Sequence, residues 1–252
     1  MTSDFFPTAR ILLIVGNYGS GKTEVAVNLA IQLARRGRVA IADLDIVNPY
    51  FRCREAREEM QSFGIRVINP EGDFHAADLP IILPEIRGSI QDGDGTLIFD
   101  VGGDDVGARV LSSLADLLSV ASYSMLQVIN ARRPFTGDVE GCLRIRSEIE
   151  AASRCRITGL ISNTHLLEDT SADIVREGYD LARQVGQAAE LPVALVTANE
   201  ELRGEIIAEE MSCPVLWLQR RMLPPWKLRT MTDRAQRVLG RDPSLRQPDI
   251  HP

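Results

Sequence analysis

The chain lacks any C-x-x-C pair. Its four cysteines, Cys53, Cys142, Cys155 and Cys213, are scattered, which excludes a zinc knuckle and a local pair of iron–sulfur ligands. Isolated thiols in an apolar chain are most often buried and inert. No apolar run approaches the ~20 residues that a membrane-crossing helix needs. The first ten residues, which include Asp4 and Pro7, hold no apolar core of a secretory signal. The protein is therefore read as cytoplasmic. Positive charge is also short: the net charge is −7, which argues against non-specific DNA binding. There is no Ser/Gly-rich linker and no internal repeat. With 252 residues, 44% of them hydrophobic and 25% charged, the chain suits one large soluble α/β domain. We take residues 1–225 as that domain and 226–252 as a C-terminal helix with a frayed tail.

What is there begins near the start. Ile11 to Val15 form an apolar run, and Gly16-Asn17-Tyr18-Gly19-Ser20-Gly21-Lys22-Thr23 follow it. This is G-x-x-x-x-G-K-[ST], the phosphate-binding loop. The run before it suits a strand buried on both faces. After it, Val25, Ala26, Leu29, Ala30 and Leu33 recur at helical spacing. The glycines let the backbone curl so that successive N–H groups point at phosphate oxygens, and the positive end of the helix adds to the field. Lys22 is expected to reach the β- and γ-phosphates and the Thr23 hydroxyl to ligate Mg²⁺. A glycine-rich turn that binds nothing would explain the glycines but not Lys22-Thr23.

A second strand, Val39 to Ala42, runs into Asp43-Leu44-Asp45, and carboxylates at the end of a parallel strand face the ligand crevice. Helix Cys53 to Phe63 and strand Ile65 to Ile68 follow. Asn69 to Gly95 carries three prolines and four glycines and is read as the least regular part, with at most a short helix beginning at Pro84. Strand Thr96 to Phe99 ends in Asp100-Val101-Gly102-Gly103. An apolar strand that delivers one Asp to a phosphate loop is the Walker-B arrangement: Asp100 would hold Mg²⁺, directly or through its water, and Gly103 could offer an N–H to the γ-phosphate. Further strands are expected at 125–129, 157–161, 193–196 and 215–218. Thr136 and Thr170 are expected to cap helices, and Asn199 a short one. Alternating strands and amphipathic helices imply a three-layer α/β/α fold with a mostly parallel sheet. After Pro224-Pro225, Leu228, Met231, Ala235, Val238 and Leu239 share one helical face among basic residues. That pattern suits a membrane surface or a docking partner, and equally a terminal helix packed on its own domain.

Taken together, Gly16–Thr23, Asp43-Leu44-Asp45, Asp100-Val101-Gly102-Gly103 and Asn163 after Ile157 to Ser162 resemble the MinD/ParA/nitrogenase-iron-protein class of P-loop ATPases. That class includes dethiobiotin synthetase and the cobyrinic-acid amidating enzymes. The stretches at 43–52, 100–108 and 133–141 are similar to bacterial CobQ/CobB/MinD/ParA-type nucleotide-binding proteins. The resemblance implies that Asp45 orients the attacking water, that Asp43 supports it or the Mg²⁺ shell, that Asp100 and Gly103 form the second switch, and that Asn163 reads the adenine edge. GTPases more typically show N-K-x-D there, and Asn163-Thr164-His165-Leu166 lacks both Lys and Asp, so ATP is favoured. Many members carry a signature Lys where this chain has Asn17, which weakens the case for dimer-coupled hydrolysis but leaves a homodimer open.

Three functions fit these residues. The leading one is a Mg²⁺-ATP-dependent switch ATPase or adaptor acting on a protein partner, with Lys22, Asp45 and Asp100 catalytic. The second is an ATP-dependent ligase or phosphotransferase for a small carboxylate, motivated by Arg52, Arg132 and Arg133 beyond strand ends. The third is a membrane or nucleoid positioning factor that uses the basic tail.

Overall fold

The structure is a computed structural model that describes residues 7–44, 57–68, 79–103, 105–206 and 208–221. Its centre is Ile11–Gly16 (β1), every residue of which is buried. A strand can be apolar throughout only when both its faces are covered. Leu12 and Ile14 join one core cluster with Val25, Ala26, Leu29 and Ala30 of the helix Lys22–Ala34 (α1). Ile11, Leu13 and Val15 join a second cluster on the opposite face. Each fully buried aliphatic side chain of this kind contributes about 1.5–3 kcal/mol relative to exposure.

Around β1 lie Val39–Asp43 (β2), Arg66–Ile68 (β3), Thr96–Asp100 (β4), Tyr123–Ile129 (β5), Gly159–Ser162 (β6), Val193–Asn199 (β7) and Val215–Leu218 (β8). They form an eight-stranded sheet in the order β3-β2-β4-β1-β5-β6-β7-β8, and all pairs are parallel. The remaining α-helices are Arg57–Ser62 (α2), Leu79–Gln91 (α3), Asp105–Val120 (α4), Val139–Ser153 (α5) and Ala172–Ala189 (α6). α1 and Met60 of α2 cover one face of the sheet. Ile86 and Ile90 of α3, Leu111, Leu114 and Leu118 of α4, Cys142 of α5 and Val185 of α6 cover the other. The expected three-layer α/β/α architecture is therefore present. Later strands are added on one side of β1 up to β4 and on the other from β5 onward. This makes the C-terminal end of β1 a topological switch point, where open parallel sheets bind ligands.

Several local expectations need correction. The stretch 79–91 is a continuous helix with Pro84 inside it rather than at its first turn. A proline there removes one backbone donor, but Ile86 and Ile90 are buried against the sheet, and tertiary burial outweighs the lost bond. Thr136 does not cap α5. Asp138 does, accepting from the Gly141 N–H at 2.7 Å, while the Thr136 hydroxyl donates to the Asn130 carbonyl at 2.8 Å. Ser171, one residue after Thr170, caps α6. Thr170 instead accepts from the Leu166 N–H and donates to the Leu167 carbonyl. Asn199 precedes a 3₁₀ turn, Glu200–Gly204, and makes no side-chain cap bond. At α5 and α6 two polar residues able to cap stand close together, and the turn geometry selects between them. The start of the helix expected at 53–63, the tail from 226 and all of 69–78 lie outside the described residues.

Candidate functional site

Gly16 closes β1 and Lys22 opens α1, so residues 16–22 turn the chain over the C-terminal edge of the sheet. Gly16, Gly19 and Gly21 have φ of 149°, 71° and 88°, a region side chains disfavour. Space is as restrictive as torsion. A Cβ on Gly16 would lie 2.6 Å from the Val128 carbonyl oxygen, and one on Gly21 would lie 2.3 Å from Asn163 Nδ2. The Lys22 ammonium donates across the loop to the Asn17 carbonyl at 3.1 Å. Asn17 stiffens the same turn: its Oδ1 accepts from the Tyr18 N–H at 2.8 Å and its Nδ2 donates to the Pro134 carbonyl at 3.2 Å. Ser20 is fully buried, with its hydroxyl turned under the loop toward Gly16. Thr23 is buried in the first turn of α1, and Tyr18 is 70% exposed at the rim.

The two carboxylates described are neighbours. Asp43 pairs in register with Asp100, and Asp100 with Ile14, so both acids end strands beside the loop. Both are buried. The ladder continues past them, with the Leu44 N–H on the Asp100 carbonyl and the Val101 N–H on the Ile14 carbonyl. Gly103 rests on the loop: a Cβ there would lie 2.8 Å from both Lys22 Nζ and the Tyr18 nitrogen. Asp45 lies outside the described residues.

On the other side of the loop a cavity of about 760 Å³ extends over the ends of β6, β7 and β8, and it is lined in part by Lys22, Thr23, Asn163, His165, Thr197 and Arg220. That is ample for a small-molecule ligand. Asn163 stands between cavity and loop. Its Nδ2 donates to the Ser20 carbonyl at 2.6 Å, and its Oδ1 accepts from the Thr197 hydroxyl at 2.5 Å. Both ends of the amide thus brace the phosphate loop against β7. A second N–H and a second lone pair remain on the amide beyond these two bonds.

His165 follows, and its pKa is pushed down to about 4, first by burial and then by the positive charges of Arg133 and Arg220. It is therefore neutral at ordinary pH in an electropositive corner. Arg220 ion-pairs with Glu168 at 2.6 Å on the rim. The strand leading to Arg220 is fastened to α1: Asn28 exchanges two hydrogen bonds with the Gln219 backbone, and Glu24 accepts from the Arg221 N–H.

Sequence reasoning missed Thr197 and His165 as site residues, and it did not separate the two adjacent arginines. Arg132 pairs with Glu177 of α6, whereas Arg133 turns to the phosphate loop and donates from Nε to the Gly19 carbonyl at 3.0 Å. Their described hydrogen bonds run to different elements, and Arg52, the third arginine of the expected cluster, lies outside the described residues. The three described cysteines are free thiols. Burial pushes Cys142 up to about 12 and Cys213 up to about 11, so neither is a thiolate nucleophile at neutral pH.

No protein-family model matches the sequence, and no curated protein does. Solved structures match it in fold. The cell division protein FtsY of Thermotoga maritima superposes with a TM-score of 0.52 at 18% identity, covering 79% of this chain and 64% of that one. FtsY of Mycoplasma mycoides gives 0.52 at 16%, covering 78% and 62%. The signal recognition particle receptor FtsY of Elizabethkingia anophelis, in complex with GDP, gives 0.50 at 17%, covering 79% and 60%. The fold is that of a P-loop NTPase. This chain spans somewhat under two thirds of the length of each of these proteins, and at such identities the likeness concerns architecture. Among the described residues no helix is long and apolar enough to cross a membrane.

Proposed function

We propose that the protein is a Mg²⁺-dependent ATPase of the MinD/ParA/CobQ/CobB kind, working as a nucleotide-driven switch or adaptor for a protein partner. One observation carries this reading: Lys22, Thr23, Asp43, Asp100 and Gly103 converge at the end of β1. The backbone nest and Lys22 grip the triphosphate. The loop after β4 starts at Asp100 and touches Lys22 at Gly103, so a γ-phosphate bound at Lys22 meets that glycine at once. Asp45, one residue beyond Leu44, would orient the attacking water. Loss of the γ-phosphate would release both loops.

The donor set suits Mg²⁺. Thr23, Asp43 and Asp100, together with Asp45, supply hard oxygen atoms, and the described residues contain no group of three His, Cys, Asp or Glu side chains able to cage a metal by themselves. A Mg²⁺ site completed by substrate phosphates and water has this character. When bound, the ion neutralises charge on the β- and γ-phosphate oxygens. Preference for adenine rests on the missing N-K-x-D at 163–166; the GDP held by one structural neighbour makes guanine the natural competitor to test.

Titration with Mg²⁺-ATP and Mg²⁺-GTP, followed by phosphate-release assays, tests the reading on wild type and Lys22→Ala. Removing the ammonium deletes charge-assisted hydrogen bonds, so ATP affinity should fall about a hundredfold and turnover should vanish. Equal affinity in both proteins would sink the site assignment. Tighter binding of GTP would overturn only the adenine preference.

A further inference from the structure

Arg133 belongs to the β5–α5 connection, which is held by hydrogen bonds of its own. The Arg133 N–H bonds the Asn130 carbonyl at 3.1 Å, and the Thr136 N–H bonds the Arg133 carbonyl at 3.3 Å. The Thr136 hydroxyl closes on the Asn130 carbonyl at 2.8 Å. Asn130 is fully buried, and its Oδ1 accepts from the Arg132 N–H at 2.9 Å. This turn aims the Arg133 side chain back over the phosphate loop. Nε donates to Gly19 at 3.0 Å, and Cδ, Nε and Cζ lie 3.5–3.8 Å from where a Gly19 Cβ would stand. A guanidinium has five N–H donors in a rigid fork. Among the described residues its hydrogen bonding runs through Nε, and Arg133 lines the same cavity as Lys22, Thr23 and His165. His165 lies within reach of the same charge: burial first, then Arg133 and Arg220, push its pKa down.

We infer that Arg133 is a second phosphate-binding cation, which reaches the polyphosphate of the nucleotide from the flank of the loop while Lys22 reaches it from within. The inference rests on the nucleotide reading above and adds a residue to it. It has a distinct physical content, because a loop staple and a phosphate ligand respond differently to charge. Arg133→Gln retains a neutral donor for Gly19 but removes the charge. Arg133→Lys retains the charge but loses the Nε bond.

The test is a titration of ATP, ADP, AMP and adenosine against wild type, both variants and Lys22→Ala. Arg133→Gln should weaken ATP and ADP about tenfold to a hundredfold, the range for a lost charge-assisted hydrogen bond. Adenosine should be unaffected, and Arg133→Lys should stay within a few-fold of wild type. Equal losses in the Gln and Lys variants, or the same loss for adenosine as for ATP, would make Arg133 a staple and overturn the inference. Should Arg133→Gln fail to fold, labelling of wild-type Arg133 by an arginine-selective dicarbonyl decides the matter. Protection by ATP but not by adenosine is expected, and equal labelling would overturn it. If Lys22→Ala loses ATP while Arg133 proves indifferent, only this inference falls. If wild type binds no nucleotide, both fall.

Discussion

The two ends of the cavity are made of different material. At the β1–α1 end the surface is backbone: glycines at positive φ, amides in a curl, and neighbours so close that a methyl group does not fit at Gly16 or Gly21. At the β6–β8 end the surface is side chain: Asn163, His165, Thr197 and Arg220 come from three strand ends, with Thr197 bonded to Asn163 and the charge of Arg220 acting on His165. On the function proposed above, the backbone cradle would take what every nucleotide shares, the phosphate chain, and the side-chain wall what differs, the base. A backbone cradle cannot vary without breaking, whereas a side-chain wall can change one residue at a time.

The sharpest way to break this contrast is to place a methyl group on the cradle. Gly16→Ala puts Cβ against the backbone carbonyl of Val128, and neither strand can give way. We expect a loss of about 3–5 kcal/mol, from strain and overpacking together, read as a fall in the denaturation midpoint. Gly19→Ala is the control. Its Cβ would meet only the Arg133 side chain at ordinary contact distance, so the positive φ alone should cost about 1–2 kcal/mol. Equal costs at the two positions would show that torsion rather than close approach governs the cradle.

The side-chain end should answer to pH instead. His165 has a pKa near 4 when folded, against an ordinary value of 6.5. Between these values the unfolded chain binds more protons, so stability rises with pH across that window. Acidification from pH 6.5 toward 4 should therefore remove up to about 3 kcal/mol. His165→Asn should flatten the slope in urea denaturation measured at intervals over the same range. A slope unchanged by the substitution would mean that His165 is not held neutral by burial and its two arginines.

Much of the cradle was legible because glycine spacing dictates backbone shape, and backbone shape is what binds phosphate. The strand ends carrying Asp43 and Asp100 were legible because unbroken apolar runs mark buried parallel strands. Other features have no such local signature. Arg132 and Arg133 are identical and adjacent, yet one meets Glu177 and the other Gly19. What separates them is the turn at 130–136, which has no period to read. His165 and Thr197 look like an ordinary loop histidine and an ordinary strand threonine until β6 and β7 pair and set them beside the loop. That Asn163, expected to read adenine, also braces the phosphate loop has no signature in the sequence. Helix α3 was obscured because Pro84 signals a boundary locally, whereas the burial of Ile86 and Ile90 is a tertiary fact.

The smallest predicted effect is the most discriminating, because Asn163 is the piece shared by both ends. Thr197→Val keeps the shape of the side chain and removes the hydroxyl that donates to Asn163 Oδ1. A buried acceptor left without its donor costs about 1–2 kcal/mol, and Thr197→Ser should restore most of it. The consequence for binding depends on whether Asn163 still holds Ser20. If it does, affinity for inorganic tripolyphosphate stays at the wild-type value, and only nucleotide affinity responds to the loosened amide. If tripolyphosphate affinity falls in step with stability, strain has passed through the Nδ2–Ser20 bond into the cradle. The two ends would then be a single mechanical unit, whatever their different materials imply.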